Sequence, residues 1–132
     1  MQRCRHHTDT VSPMNWTDAI DLRPTGDRRF SAHVDEAWTS LQGAHGGIVA
    51  ALAVAAAERV VGELGLDPAP TVRAATFGYA SGNVVGDLEV EVEVIRQGRN
   101  MVTTLTRTSQ AAKTTTVGRL HHSGPWPGMA YS

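Results

Sequence analysis

The sequence predicts an α+β domain in which an antiparallel β-sheet wraps around one long central α-helix. Three observations predict it. The chain has 132 residues, 41% apolar, with a formal net charge of −1, which suits one ordinary domain with a core and not a disordered chain. Residues 48–61 read Ile-Val-Ala-Ala-Leu-Ala-Val-Ala-Ala-Ala-Glu-Arg-Val-Val, apolar on every side at helical spacing. Leu88 to Ile95 then alternates strictly, with Leu88, Val90, Val92 and Val94 on one face and Glu89, Glu91 and Glu93 on the other. The domain is expected over residues 28–122, between an irregular N-terminal arm (1–27) and a C-terminal tail (123–132).

Each element follows in order. Met1 to Gly26 is polar, with Pro13 and Pro24, and its apolar anchors are Val11, Met14, Trp16, Ile20 and Leu22. Arg28 to Val34 suits a first strand. Gly46 to Leu64 is the helix: alanine and leucine favour it, and no glycine or proline interrupts residues 48–61. A helix apolar all round is buried or spans a membrane. Spanning takes ~20 apolar residues, and this run breaks at Glu58-Arg59, so the helix is buried and wrapped on most sides. Thr71 to Ala80 is a strand. Period 2 with one charged face makes Leu88 to Ile95 a half-buried antiparallel strand. Gln97 to Asn100 is a turn, Met101 to Gln110 is threonine-rich and β-prone, and Lys113 to Leu120 is the last strand after Ala111-Ala112. The expected order is strand, helix, then four strands in a meander, which is the hotdog arrangement. Gly124, Pro125, Pro127 and Gly128 mark the tail, and Trp126 is its apolar anchor.

Composition excludes several partners. Twelve basic residues against thirteen acidic argue against nucleic acid or an anionic membrane. A single cysteine, Cys4, leaves no internal disulfide and no cysteine metal cluster. Residues 1–10 lack an apolar signal core, so a soluble, cytoplasmic protein is expected.

His45-Gly46-Gly47 opening an alanine-rich helix, with Trp38 seven residues earlier, resembles the start of the central helix in hotdog thioesterases. The run from Leu88 to Arg99, followed by a strand ending at Gln110, resembles the acyl-CoA thioesterase II type. The resemblance covers residues 28–120. It implies hydrolysis of acyl-CoA or acyl-carrier-protein thioesters by a dimer of hotdog units or a fused double hotdog, hence at least a homodimer of this single unit. No cofactor and no metal are expected. The chain also departs from the pattern. Related thioesterases place an aspartate two turns into the helix, where this chain has Val54 or Ala57. Ser81-Gly82 replaces the arginine-proline pair that ends the next strand, and Thr71 and Thr76 are the nearest hydroxyls to the expected one. These departures leave open a non-catalytic, acyl-binding hotdog. A hotdog dehydratase is a weaker alternative.

Thioester hydrolysis needs fixed donors for the carbonyl oxygen, an attacking water or side chain, and a group that activates the attacker. A helix N-terminus carries backbone N–H groups and partial positive charge, so Gly47, with Gly46, is the candidate oxyanion hole. Glycine there also permits a tight turn into the helix. Glu58, the one acid between Ile48 and Val61, is the candidate base; partial burial would suit it to that role, and emergence of the helix into water would not. Gln110 is the candidate that holds the water or the thioester. It shares a face with Val102, Thr104, Thr106 and Thr108, and a register slip of one would expose them all. His45, Gly46, Thr76, Tyr79 and Arg99 complete the substrate-binding set, Arg99 as a contact for CoA phosphates. The neighbouring pairs His6-His7 and His121-His122 make poor chelates, because adjacent strand residues face opposite ways.

Overall fold

A computed structural model describes residues 20–40, 43–44 and 46–125. The strands are β1 (Arg23–Gly26), β2 (Arg29–Val34), β3 (Thr39–Ser40), β4 (Gly43–Ala44), β5 (Thr71–Tyr79), β6 (Gly86–Gln97), β7 (Met101–Gln110) and β8 (Lys113–Ser123). Among the described residues the α-helix is α1, Gly46–Gly62, and a 3-10 turn covers Glu36–Trp38. Six strands form one antiparallel sheet in the order β1-β2-β6-β7-β8-β5. The helix lies on one face of it, contacting β5, β6, β7 and β8. This is the hotdog fold.

Alanine sets the spacing. Val49, Leu52, Ala53, Ala56, Ala57, Val60 and Val61 are buried on α1, so small side chains let the helix settle close to the sheet. The facing layer includes Phe30, Ala32, Val34, Leu88, Val90, Val92 and Leu120. Burying each larger side chain contributes ~1.5–3 kcal/mol. Gly118 is required by its strand neighbours: a Cβ there would lie 2.5 Å from the Phe77 ring and 2.6 Å from Thr106 Oγ1, the residues opposite it on β5 and β7. At the other end of the sheet, Arg59 ties down the entering chain. Its Nη1 donates to Leu22 O at 3.2 Å, and its guanidinium stands 5.4 Å from the centre of the Phe30 ring.

The observed path corrects three expectations. The four strands after the helix are not a simple meander: β6, β7 and β8 are, but β5 pairs with β8 at the sheet edge. The 80–85 connection must therefore cross the ends of β8 and β7 to reach β6. It is fastened as it goes, by Ala80 N and Ser81 N donating to Thr115 O at 2.8 and 3.1 Å and by Thr115 Oγ1 donating to Asn83 Oδ1 at 2.7 Å. Second, Arg23–Gly26, expected within the irregular arm, pairs with β2 as an edge strand, and β8 extends to Ser123, into the expected tail. Third, the covering of the helix is uneven. Its sheet-facing side is buried, while Gly47 and Glu58 are exposed and Ala51 and Val54 half-buried. These four are spaced 4, 3 and 4 residues apart, so they form one uncovered stripe along the helix.

Candidate functional site

The start of α1 is held from β5. Tyr79 Oη donates to Gly46 O at 2.8 Å, and a Cβ on Gly46 would come within 3.3 Å of the Tyr79 ring. Gly46 is glycine because an aromatic ring lies against it. Gly47 is exposed at the positive end of the helix dipole. Tyr79, Gly46 and Gly47, expected to share a site, are therefore brought together. Thr76 lies on the same strand, exposed, in register with Arg119 of β8.

Gln110 lies at this end too, but its amide is engaged. Oε1 accepts from Val84 N at 2.9 Å, and Nε2 donates to Val84 O at 3.0 Å and Asp87 O at 3.3 Å. The side chain satisfies the backbone of the crossing 80–85 segment, groups that a chain passing over strand ends would otherwise leave unpaired. Both amide hydrogens are used in this way, which gives Gln110 a structural task where a water-holding one was expected.

Glu58 is placed elsewhere. It is eleven residues from Gly47, ~16 Å along the axis at 1.5 Å per residue. The residue is exposed, not partly buried. Its Oε1 accepts from Val72 N, at the start of β5, at 3.5 Å. Val72 pairs with His122, and His122 with Val102 at the start of β7. Gln110 ends that same strand, eight residues or ~26 Å away at 3.3 Å per residue. Within one chain, then, Glu58 is not brought together with Gln110 or with Gly47.

The sequence sets His121-His122 aside as a poor chelate and gives His122 no role in the site. Its imidazole is fully buried beneath α1; Nε2 is 2.9 Å from Thr104 Oγ1, and Nδ1 has no hydrogen-bond partner among the described residues. Burial holds it below the ordinary histidine value, while the Glu58 carboxylate raises it and His121 lowers it further. The signal was present in the alternation: Thr116, Gly118, Leu120 and His122 share a face, and Leu120 is an obvious core residue. The threonine row of β7 faces inward, with Val102, Thr104, Thr106 and Thr108 all buried. The hydroxyls of Thr106, Thr108 and Thr116 have no hydrogen-bond partner among the described residues.

Arg99 is exposed in the β6–β7 hairpin, where it lines a cavity of about 410 Å³ at the C-terminal end of α1. His45, Cys4, Trp126 and the pair His6-His7 lie outside the described residues. Among the described residues no group of three or more His, Cys, Asp or Glu side chains is arranged to hold a metal ion. No helix there is long and apolar enough to cross a membrane.

Comparison with solved structures finds the same fold repeatedly. A protein assigned as a thioesterase II from Thermobifida fusca YX superposes with a TM-score of 0.76 at 18% identity, over 92% of this chain and 44% of that one. A protein assigned as a phenylacetic acid degradation-related thioesterase from Ralstonia eutropha JMP134 gives 0.73 at 13% identity, over 91% and 98%. A thioesterase-type protein from Streptococcus pneumoniae TIGR4, solved with coenzyme A, gives 0.67 at 18% identity, over 78% and 86%. The chain thus spans less than half the length of the Thermobifida protein and most of the other two. A search of curated proteins finds no match. The model of the acyl-CoA thioesterase N-terminal domain matches residues 34–121, two thirds of the sequence, and the chain belongs to that family.

Proposed function

We propose that the protein hydrolyses acyl-CoA thioesters as a homodimer whose two sites are each shared between subunits. One observation carries this reading: the uncovered stripe of α1 has Gly47 at one end and Glu58 at the other, beside the open edge of β5. Nearly every residue of β5 is exposed, and its outer edge has no strand partner among the described residues. A second copy adding its own β5 antiparallel about the midpoint, Ala75, would set Val72 opposite Gly78 of the partner subunit. That pairing lays the two helices antiparallel. It brings Glu58, which touches Val72 N, to the helix start held by the partner's Tyr79.

The chemistry then follows. The first-turn N–H groups of the partner's α1, with the helix dipole behind them, stabilise the oxyanion as the thioester carbonyl becomes tetrahedral. Glu58, exposed in one subunit, would be covered by the partner in this pairing; its carboxylate takes a proton from the attacking water, and the thiolate of coenzyme A leaves. Val54, where related enzymes carry an aspartate, lies one turn from Glu58 on the same stripe, so the base is displaced by a turn and stays on the face that meets the partner. CoA bound to the Streptococcus relative supports this carrier.

The test is thiol release from a panel of short, long, branched and aromatic acyl-CoAs, with enzyme-only blanks because Cys4 reacts with thiol reagents. Wild-type turnover that falls ~10²-fold or more in Glu58→Gln, the scale of a lost general base, supports the reading. Turnover unchanged in Glu58→Gln removes Glu58 as the base. Saturable acyl-CoA binding without turnover establishes the acyl-binding alternative instead.

A further inference from the structure

We infer that His122 is the positioning residue for Glu58: its Nδ1–H donates to the Glu58 carboxylate and aims that base across the subunit boundary. The inference rests on the thioesterase reading and deepens it. His122 has 0% exposure. Its register partners, Val72 on β5 and Val102 on β7, offer the ring nothing polar from their side chains. Its Nε2 is 2.9 Å from Thr104 Oγ1, on β7. The two nitrogens of an imidazole point away from each other, and β8 lies between β7 and β5. With Nε2 on Thr104, Nδ1 is therefore turned to the β5 side.

Glu58 reaches that side from the helix. Its Oε1 accepts from Val72 N at 3.5 Å, and Val72 is the residue opposite His122. A contact that long is at the limit of a hydrogen bond, so it keeps the carboxylate beside His122 without satisfying it. The charged or titratable groups that act on His122 are Glu58, from α1, and His121, from its own strand; Val72, Val102 and Thr104 carry no charge. A neutral imidazole has one N–H and one bare nitrogen, and the bond made by one nitrogen decides which of them holds the proton. With the Thr104 hydroxyl donating to Nε2, the proton is on Nδ1. There it is a buried donor with no partner among the described residues, a costly arrangement. Glu58 is exposed in one subunit and loses water when a partner covers its stripe. The covered carboxylate needs a donor, and the buried imidazole needs an acceptor. Rotation of the Glu58 side chain satisfies both and fixes where the carboxylate points.

The experiment has two arms. In the first, nitrogen NMR of the full chain reads the tautomer of His122 at neutral pH and follows its titration in wild type and in Glu58→Gln. The proton is expected on Nδ1, and the His122 titration should move to lower pH in Glu58→Gln, which removes the carboxylate that raises it. In the second, kcat and KM for acyl-CoA are measured on His122→Asn and His122→Gln. An asparagine amide sits where Nδ1 was, a glutamine amide where Nε2 was. His122→Asn should keep kcat within threefold. His122→Gln, which keeps the Thr104 bond, should lower kcat at least tenfold with KM within twofold. In a Glu58→Gln background, His122→Gln should change the residual kcat less than twofold, because a positioning residue acts only through its base. A proton on Nε2, a titration indifferent to Glu58→Gln, or equal kcat in the two His122 variants overturns the inference. Thioester cleavage with His122 indifferent to Glu58 refutes the pair and leaves the thioesterase reading standing. The expected tautomer and titration without cleavage of any thioester do the reverse.

Discussion

His122 gives the fold a sensitivity to acid. Its imidazole is buried and held below 6.5, chiefly by loss of water, with the Glu58 carboxylate pulling the other way and His121 adding to the depression. Below pH 6.5 the unfolded chain takes up a proton that the folded chain resists. The unfolded state then binds more protons, so stability falls as pH drops through this window, by at most ~1.4 kcal/mol per pH unit for one group. Above it the contribution is complete. Urea denaturation at pH 7.5 and pH 5.5 should show this loss, and His122→Gln should flatten it. Position in the fold, not residue type, decides what such a side chain does. The sequence marks Gln110 as a strand-end glutamine, and it is one, but its amide fastens the 80–85 crossing, a path invisible before β5 is known to pair with β8. Glu58 looks from sequence like an acid in an apolar helix; the structure places it on the uncovered side, in water.

The elements themselves were largely legible. The helix start at Gly46 and all of β7 fall where the sequence puts them, because periodicity and glycine positions report local structure directly. Strand order is different. Composition marks β5 as a strand, but nothing in it says which neighbour it pairs with, and that long-range choice separates a meander from the observed sheet. Turn chemistry was also under-read. Ala111 and Ala112 join β7 to β8 with φ of 49° and 63°, the left-handed region that two-residue hairpins require and that alanine disfavours. Replacing the pair by Asn-Gly supplies residues suited to both positions. The double variant Ala111→Asn/Ala112→Gly should gain ~1 kcal/mol, read as a midpoint ~4 °C higher in thermal denaturation.

At the scale of the whole molecule, the proposed homodimer would complete both a sheet and a site. β5 offers an open edge of small side chains, Ala74, Ala75, Thr76 and Gly78, and rims it with Tyr79, 52% exposed. A lysine near a two-fold axis meets its own copy, so Ala75→Lys should convert a dimer of the 14.1 kDa chain into monomers by like-charge repulsion. Sedimentation would read the change, and thioester turnover should vanish with the dimer while circular dichroism stays unchanged. A stripe with Gly47 at one end and Glu58 at the other has a consequence for inheritance of activity within the pair. If each site is shared as proposed, a Glu58→Gln subunit and a Gly47→Val subunit should each be inert alone. Mixed in one dimer, they assemble one site carrying both lesions and one carrying neither. Equal co-expression of two dead alleles should therefore recover roughly a quarter of the wild-type rate, since half the dimers are mixed and each has one working site; two lesions confined to a single polypeptide's own site would recover nothing.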